Sequence, residues 1–196
     1  MRTFDPAVVG DLECRTWVHY YRHEWWPFLK AAVSVVRHTF GLSWAKTIVG
    51  AWWVLRANQK WAPVPDNDPA AARAYMRKFY ELVAKTHGET FDVDEAARLE
   101  VAWWRAHRDV QRGPAGREDA AVERLVGGLQ SLYAHTYGVP LADVRIAAEE
   151  RAEAMRISDQ WVAEGNDLTS PLVEQERAAL VRSYTSLRSA VEIRSA

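Results

Sequence analysis

The chain has 196 residues, of which 48% are hydrophobic and 26% charged, with a formal net charge of -1. That length suits one domain with a real core. The charge supplies no basic face for nucleic acid, and no run of roughly 18 apolar residues offers a transmembrane span.

A single Cys, Cys14, excludes an intramolecular disulfide. The opening Met1–Pro6 has no apolar signal core, so a cytoplasmic location is expected. Abundant Ala and Arg favour helix and fit a high-GC bacterial genome. Trp is the outlier, at 10 residues, and seven of them fall between Trp17 and Trp61.

The punctuation predicts helix after helix. Asp5-Pro6 is an N-cap followed by Pro at the first helical position, opening a helix toward Glu24. Pro27 kinks or restarts it, and the pattern resumes from Phe28 to Phe40 and stops at Gly41. Ser43 caps the next helix, Trp44 to about Lys60. Ala62 to Pro69 is a Pro-rich loop ending in another Asp-Pro start, at Asp68-Pro69. The helix it opens runs to about Thr86, with Ala72, Tyr75, Met76, Phe79, Leu82 and Val83 on one stripe.

Asp92 with Glu95 makes a capping-box-like start for a helix to about Arg112. Gly113-Pro114-Ala115-Gly116 is a break. The next stripe is Val122, Leu125, Val126, Leu129, Leu132 and Tyr133, closed by Gly138-Val139-Pro140. A sixth helix spans about Leu141 to Glu164, and a seventh runs from Ser170-Pro171 to about Ile193. No alternating β-branched run appears. The expected fold is all-α, a single-domain bundle of about seven helices over residues 1–196.

Several side chains could carry chemistry. His19 and His23 are four apart, so on one helix they face the same way and could share a metal. Glu100 and His107, two turns apart, share a face of a later helix. His19, His23, Glu100 and His107 thus form a candidate metal set, with His23 and His107 as candidate acid/base groups. Haem is a related option, with His19, His23, His38 and His107 as candidate ligands. Against both, such residues on a helix shoulder are more often packed or solvated.

The indoles fall in pairs eight apart: Trp17 and Trp25, Trp44 and Trp52, Trp53 and Trp61. Each pair lies nearly on one helix face. They suit either an aromatic core or a small-molecule pocket, for which Trp26, Trp52, Trp104, Arg56 and Arg151 are the candidate lining. Arg151 falls on the apolar line Val144, Ala147, Ala148, Ala154, Met155, Trp161, so it needs a counter-charge from a ligand or a nearby acid. Trp25, Trp26, Lys30, Arg37, Trp44 and Lys46 also mix indoles with cations, as helices at membrane surfaces do.

No phosphate loop, dinucleotide fingerprint or nucleophile elbow occurs. Two expectations stand side by side. One is a Trp-lined small-molecule pocket with metal- or haem-assisted chemistry. The other is a non-enzymatic helical module for interaction or homo-oligomerisation, or for attachment to a membrane surface.

Overall fold

Asp5 opens the first helix as its position before Pro6 requires: its side chain accepts from the backbone N–H of Ala7 at 2.9 Å and of Val8 at 3.3 Å. The same chemistry recurs at Asp68, which accepts from Ala71 N at 2.9 Å. It recurs again at Asp92, which accepts from Asp94 and Glu95. Each of these carboxylates satisfies N–H groups that a helix leaves without an internal partner. The computed structural model describes residues 1–112 and 118–192. The break at Gly113–Gly116 and the helix end near Ile193 lie outside the described residues.

Among the described residues all regular structure is helical: α1 (Pro6–Tyr21), α2 (Trp25–Phe40), α3 (Trp44–Trp61), α4 (Pro69–His87), α5 (Val93–Arg112), α6 (Glu118–Tyr137), α7 (Arg145–Ala163) and α8 (Pro171–Glu192). A 3-10 turn, Leu141–Val144, precedes α7. The all-α expectation holds, and eight helices replace about seven because the first one divides.

Its division has a local cause. α1 ends at Tyr21, and His23 takes a left-handed φ of 57°. Glu24 N then donates to His19 O at 2.9 Å, and His23 N to Tyr20 O at 3.0 Å. These two bonds are the Schellman closure of a helix, with His23 where glycine usually sits. Pro27 therefore lies in the first turn of α2, where its missing N–H costs nothing.

The helices fall into two units. The terminal unit holds residues 2–41 and 142–196, and in it α1 packs on α2 and α8, and α8 on α7. Its core gathers Cys14 and Val18 of α1, Ala154, Ile157 and Trp161 of α7, and Leu172, Ala179 and Leu180 of α8. Trp161 is fully buried and its indole N–H donates to Asp167 O at 2.8 Å. α1 meets α8 closely enough that a Cβ on Gly10 would stand 2.7 Å from Val181 Cγ2 and 2.8 Å from its backbone N.

The central unit holds residues 42–141 with Met1, and α3, α4, α5 and α6 pack as sequential neighbours. Short loops between successive helices favour that arrangement. Met76, Phe79, Tyr80 and Val83 of α4, Leu99 and Trp104 of α5, and Leu125, Val126, Leu129, Leu132 and Tyr133 of α6 are buried. On α5 the buried line takes in Trp104, while Trp103 is half-buried.

Candidate functional site

The residues assigned to one metal set divide between the units: His19 and His23 in the terminal unit, Glu100 and His107 in the central one. His19 and His23 do not share a helix face, because α1 stops between them. His19 Nδ1 instead pairs with Glu24 Oε2 at 2.7 Å, and Glu24 Oε1 accepts from Arg22 Nε at 2.9 Å. The hydrogen bonds from His19 and then Arg22 hold the Glu24 carboxyl below its ordinary range. His23 is exposed, its ring 5.6 Å from that of Trp25, and His38 on α2 is exposed as well. This constellation fastens the α1–α2 elbow.

Glu100 is held by two neutral donors. The Tyr80 hydroxyl donates at 2.6 Å and the Trp104 indole N–H at 3.1 Å, so the carboxylate ties α4 to α5. His107 is half-buried on the same helix. Trp104 is buried, with its ring 6.1 Å from Trp61 and 6.2 Å from Trp103. It serves the core of the central unit. Among the described residues, no three His, Cys, Asp or Glu side chains gather as a metal-holding group.

Arg151 has the counter-charge that its place on an apolar line demands. It pairs with the buried Glu13 of α1, and its Nη1 donates to the Tyr184 hydroxyl at 3.1 Å. Tyr184 in turn donates to Glu13 Oε2 at 2.6 Å. Arg, Glu and Tyr from three helices thus close a polar triangle inside the terminal unit. A second acid, Glu176 of α8, is fully buried, and neither carboxyl oxygen has a hydrogen bond of good geometry. Burial pushes its carboxyl up to about 7, opposed by the nearby Ser158 hydroxyl and Cys14 thiol and reinforced by Glu13 and Asp159. Burial first, then the charge of Glu176, pushes the Cys14 thiol far above its usual range. A buried thiol so disfavoured as thiolate is no nucleophile.

Two pocket candidates do come together, on the surface. The Arg56 guanidinium lies over the Trp52 ring at 5.8 Å and over the Tyr75 ring of α4 at 5.6 Å. Lys78 Nζ lies over Trp53 at 4.6 Å and over Tyr75 at 5.6 Å. Trp53 and Tyr75 are themselves stacked, 6.0 Å apart at 23°. Arg56, then Lys60 and Lys78, hold the Tyr75 hydroxyl below its ordinary range.

Each unit exposes an apolar helix face. Trp44 (61% exposed), Ile48 (63%), Val49 and Trp52 (52%) form one face of α3, and Trp25 (55%), Trp26 (68%) and Leu29 face solvent on α2. Lys30 lies over the Trp26 ring at 5.1 Å. None of the 26 Asp and Glu residues falls between Trp25 and Trp61, whereas Lys30, Arg37, Lys46, Arg56 and Lys60 do. That acid-free run is the signal in the sequence for both faces. Its weight is missed when cations are counted without noting the absent acids. The chain matches no protein-family model, no curated protein and no solved structure.

Proposed function

We propose that this is a non-enzymatic helical protein that attaches to an anionic membrane surface through the exposed Trp-bearing face of α3. The carrying observation is the α3 face: Trp44, Ile48, Val49 and Trp52 are exposed on a helix whose only charges are Lys46, Arg56 and Lys60. Large exposed apolar patches mark association sites. Protein interfaces deplete Lys, while interfacial helices combine indoles and aliphatics with flanking cations. Each such cation near an anionic leaflet contributes about 1 kcal/mol.

The mode is attachment rather than spanning: no helix among the described residues is long and apolar enough to cross a membrane. The Trp, Ile and Val side chains would enter the headgroup boundary, with Lys and Arg reaching to the phosphates. Liposome flotation tests this directly. Vesicles containing phosphatidylserine should carry the protein, neutral vesicles should not, and added salt should release it. Trp44→Ser with Ile48→Ser should abolish flotation with the helical content unchanged. A protein that ignores anionic vesicles and elutes as a dimer through the same two residues would place α3 in a subunit interface instead.

A further inference from the structure

We infer that Arg56, Lys60 and Lys78, gathered about Tyr75 on the α3–α4 surface, form a binding site for the phosphomonoester headgroup of an anionic lipid. This rests on the membrane-surface reading and names the headgroup chemistry that the surface would select.

No ion pair holds this cluster. Several Arg side chains elsewhere find carboxylates: Arg77 with Asp94, Arg98 with Glu95, Arg156 with Glu153, Arg182 with Glu150. Among the described residues no carboxylate lies within ion-pair distance of Arg56, Lys60 or Lys78. Arg56 and Lys78 therefore converge over Tyr75, with Lys60 one turn beyond Arg56, and no counter-charge pairs with them among the described residues.

The cluster is also held in place. Arg56 sits over two rings and donates to Gln59 Oε1 at 2.9 Å, and Lys78 sits over two rings. Cation–π contacts of this kind restrict long side chains before a ligand arrives, which lowers the entropic cost of binding. A planar guanidinium suits two oxygens of one phosphate, and a Lys supplies a point charge beside it.

The position of the cluster fits the same ligand. Trp44, Ile48, Trp52, Arg56 and Lys60 recur every four residues along α3, a line that turns by about 40° at each step, so Arg56 borders the Trp52 end of the apolar face. A helix lying on a lipid surface by its apolar face would bring Arg56, which lies over the Trp52 ring, to headgroup level. A phosphomonoester, with more than one negative charge and no covering amine, fits three cations better than a zwitterionic or serine-capped phosphate.

The test is flotation of the full chain on phosphatidylcholine vesicles containing either phosphatidic acid or phosphatidylserine, matched for surface charge. Wild type should bind the phosphatidic acid surface about tenfold more tightly, the effect of one charge-assisted hydrogen bond. Arg56→Gln and Lys78→Gln should each erase that preference while still floating on both surfaces. Lys46→Gln, a cation earlier on α3, should weaken both equally and keep the preference. Equal affinity for the two surfaces, or a preference that survives in the Arg56→Gln/Lys78→Gln double variant, overturns the site and leaves surface attachment standing. Absence of flotation on every anionic vesicle overturns surface attachment itself. Tryptophan fluorescence that responds to inorganic phosphate through Arg56, in a protein that ignores vesicles, overturns the lipid source in favour of a soluble anion.

Discussion

Glu13 of α1 and Arg151 of α7 meet as an ion pair inside the terminal unit, both largely shielded from water and both bonded to the Tyr184 hydroxyl. Removing one partner leaves the other charge buried without compensation, which costs about 3–5 kcal/mol. Glu13→Gln and Arg151→Met should each lower the unfolding free energy by that order in urea denaturation followed by far-UV circular dichroism. The double variant Glu13→Leu/Arg151→Met should recover most of the loss, since neither charge remains to be solvated. Two single variants that each cost under about 1 kcal/mol would show the pair to be wet rather than buried.

Glu176 gives stability a pH dependence opposite to that of the surface carboxylates. Its folded-state value of about 7 lies above the ordinary 4.5, so the folded state holds the proton more tightly. The stabilising contribution is fully present below 4.5 and is lost as pH rises through 7. The difference corresponds to about 3 kcal/mol. Surface acids held low by their partners, such as Glu24 and Asp92, act in the other sense and only as pH falls below their unfolded values. The urea midpoint should therefore decline between about pH 4.5 and pH 7 in wild type. Glu176→Gln should flatten that decline, and a slope unchanged by the substitution would remove Glu176 as its source.

The helices were legible because their ends are chemically marked. Asp before Pro opened α1 and α4, Asp92 opened α5, and Gly41 and Gly88 closed α2 and α4. His23 was not legible, since no glycine marks the left-handed position there and the helical pattern continues through it. Arg151 could be picked out, because a cation on an apolar line requires an acid. Its partner could not be picked out without the packing of α1 against α8, and Glu176 hides in the same way among Leu172, Ala179 and Leu180. The candidate metal and catalytic residues failed to foretell their surroundings for a related reason: spacing along one helix says nothing about the donors that a neighbouring helix presents, as Tyr80 does to Glu100.

The left-handed φ of 57° at His23 itself supports a prediction. A residue with a Cβ carries a penalty of about 1–2 kcal/mol there that glycine avoids. His23 is exposed, so its ring contributes little burial in return. His23→Gly should raise the thermal midpoint of the protein, with a gain of about 0.5–1 kcal/mol after the added flexibility of the unfolded chain is subtracted. A fall in the midpoint would mean that the ring contact with Trp25 outweighs the backbone strain.

Two glycine substitutions should have opposite signs. A Cβ at Gly10 would stand 2.7 Å from Val181 Cγ2, 2.8 Å from its backbone N and 3.0 Å from its Cα. Backbone cannot swing aside as a side-chain tip can, so α1 and α8 would have to separate. Overpacking of this kind costs about 1–3 kcal/mol, more than the gain of about 1 kcal/mol that Ala brings to a helix interior. Gly127 on α6 has nothing within 4 Å of the point where an added Cβ would stand, so Gly127→Ala should keep that helical gain in full. Denaturation curves should place Gly10→Ala below wild type and Gly127→Ala above it. If Gly10→Ala is instead the more stable protein, the close α1–α8 approach that organises the terminal unit does not exist in solution.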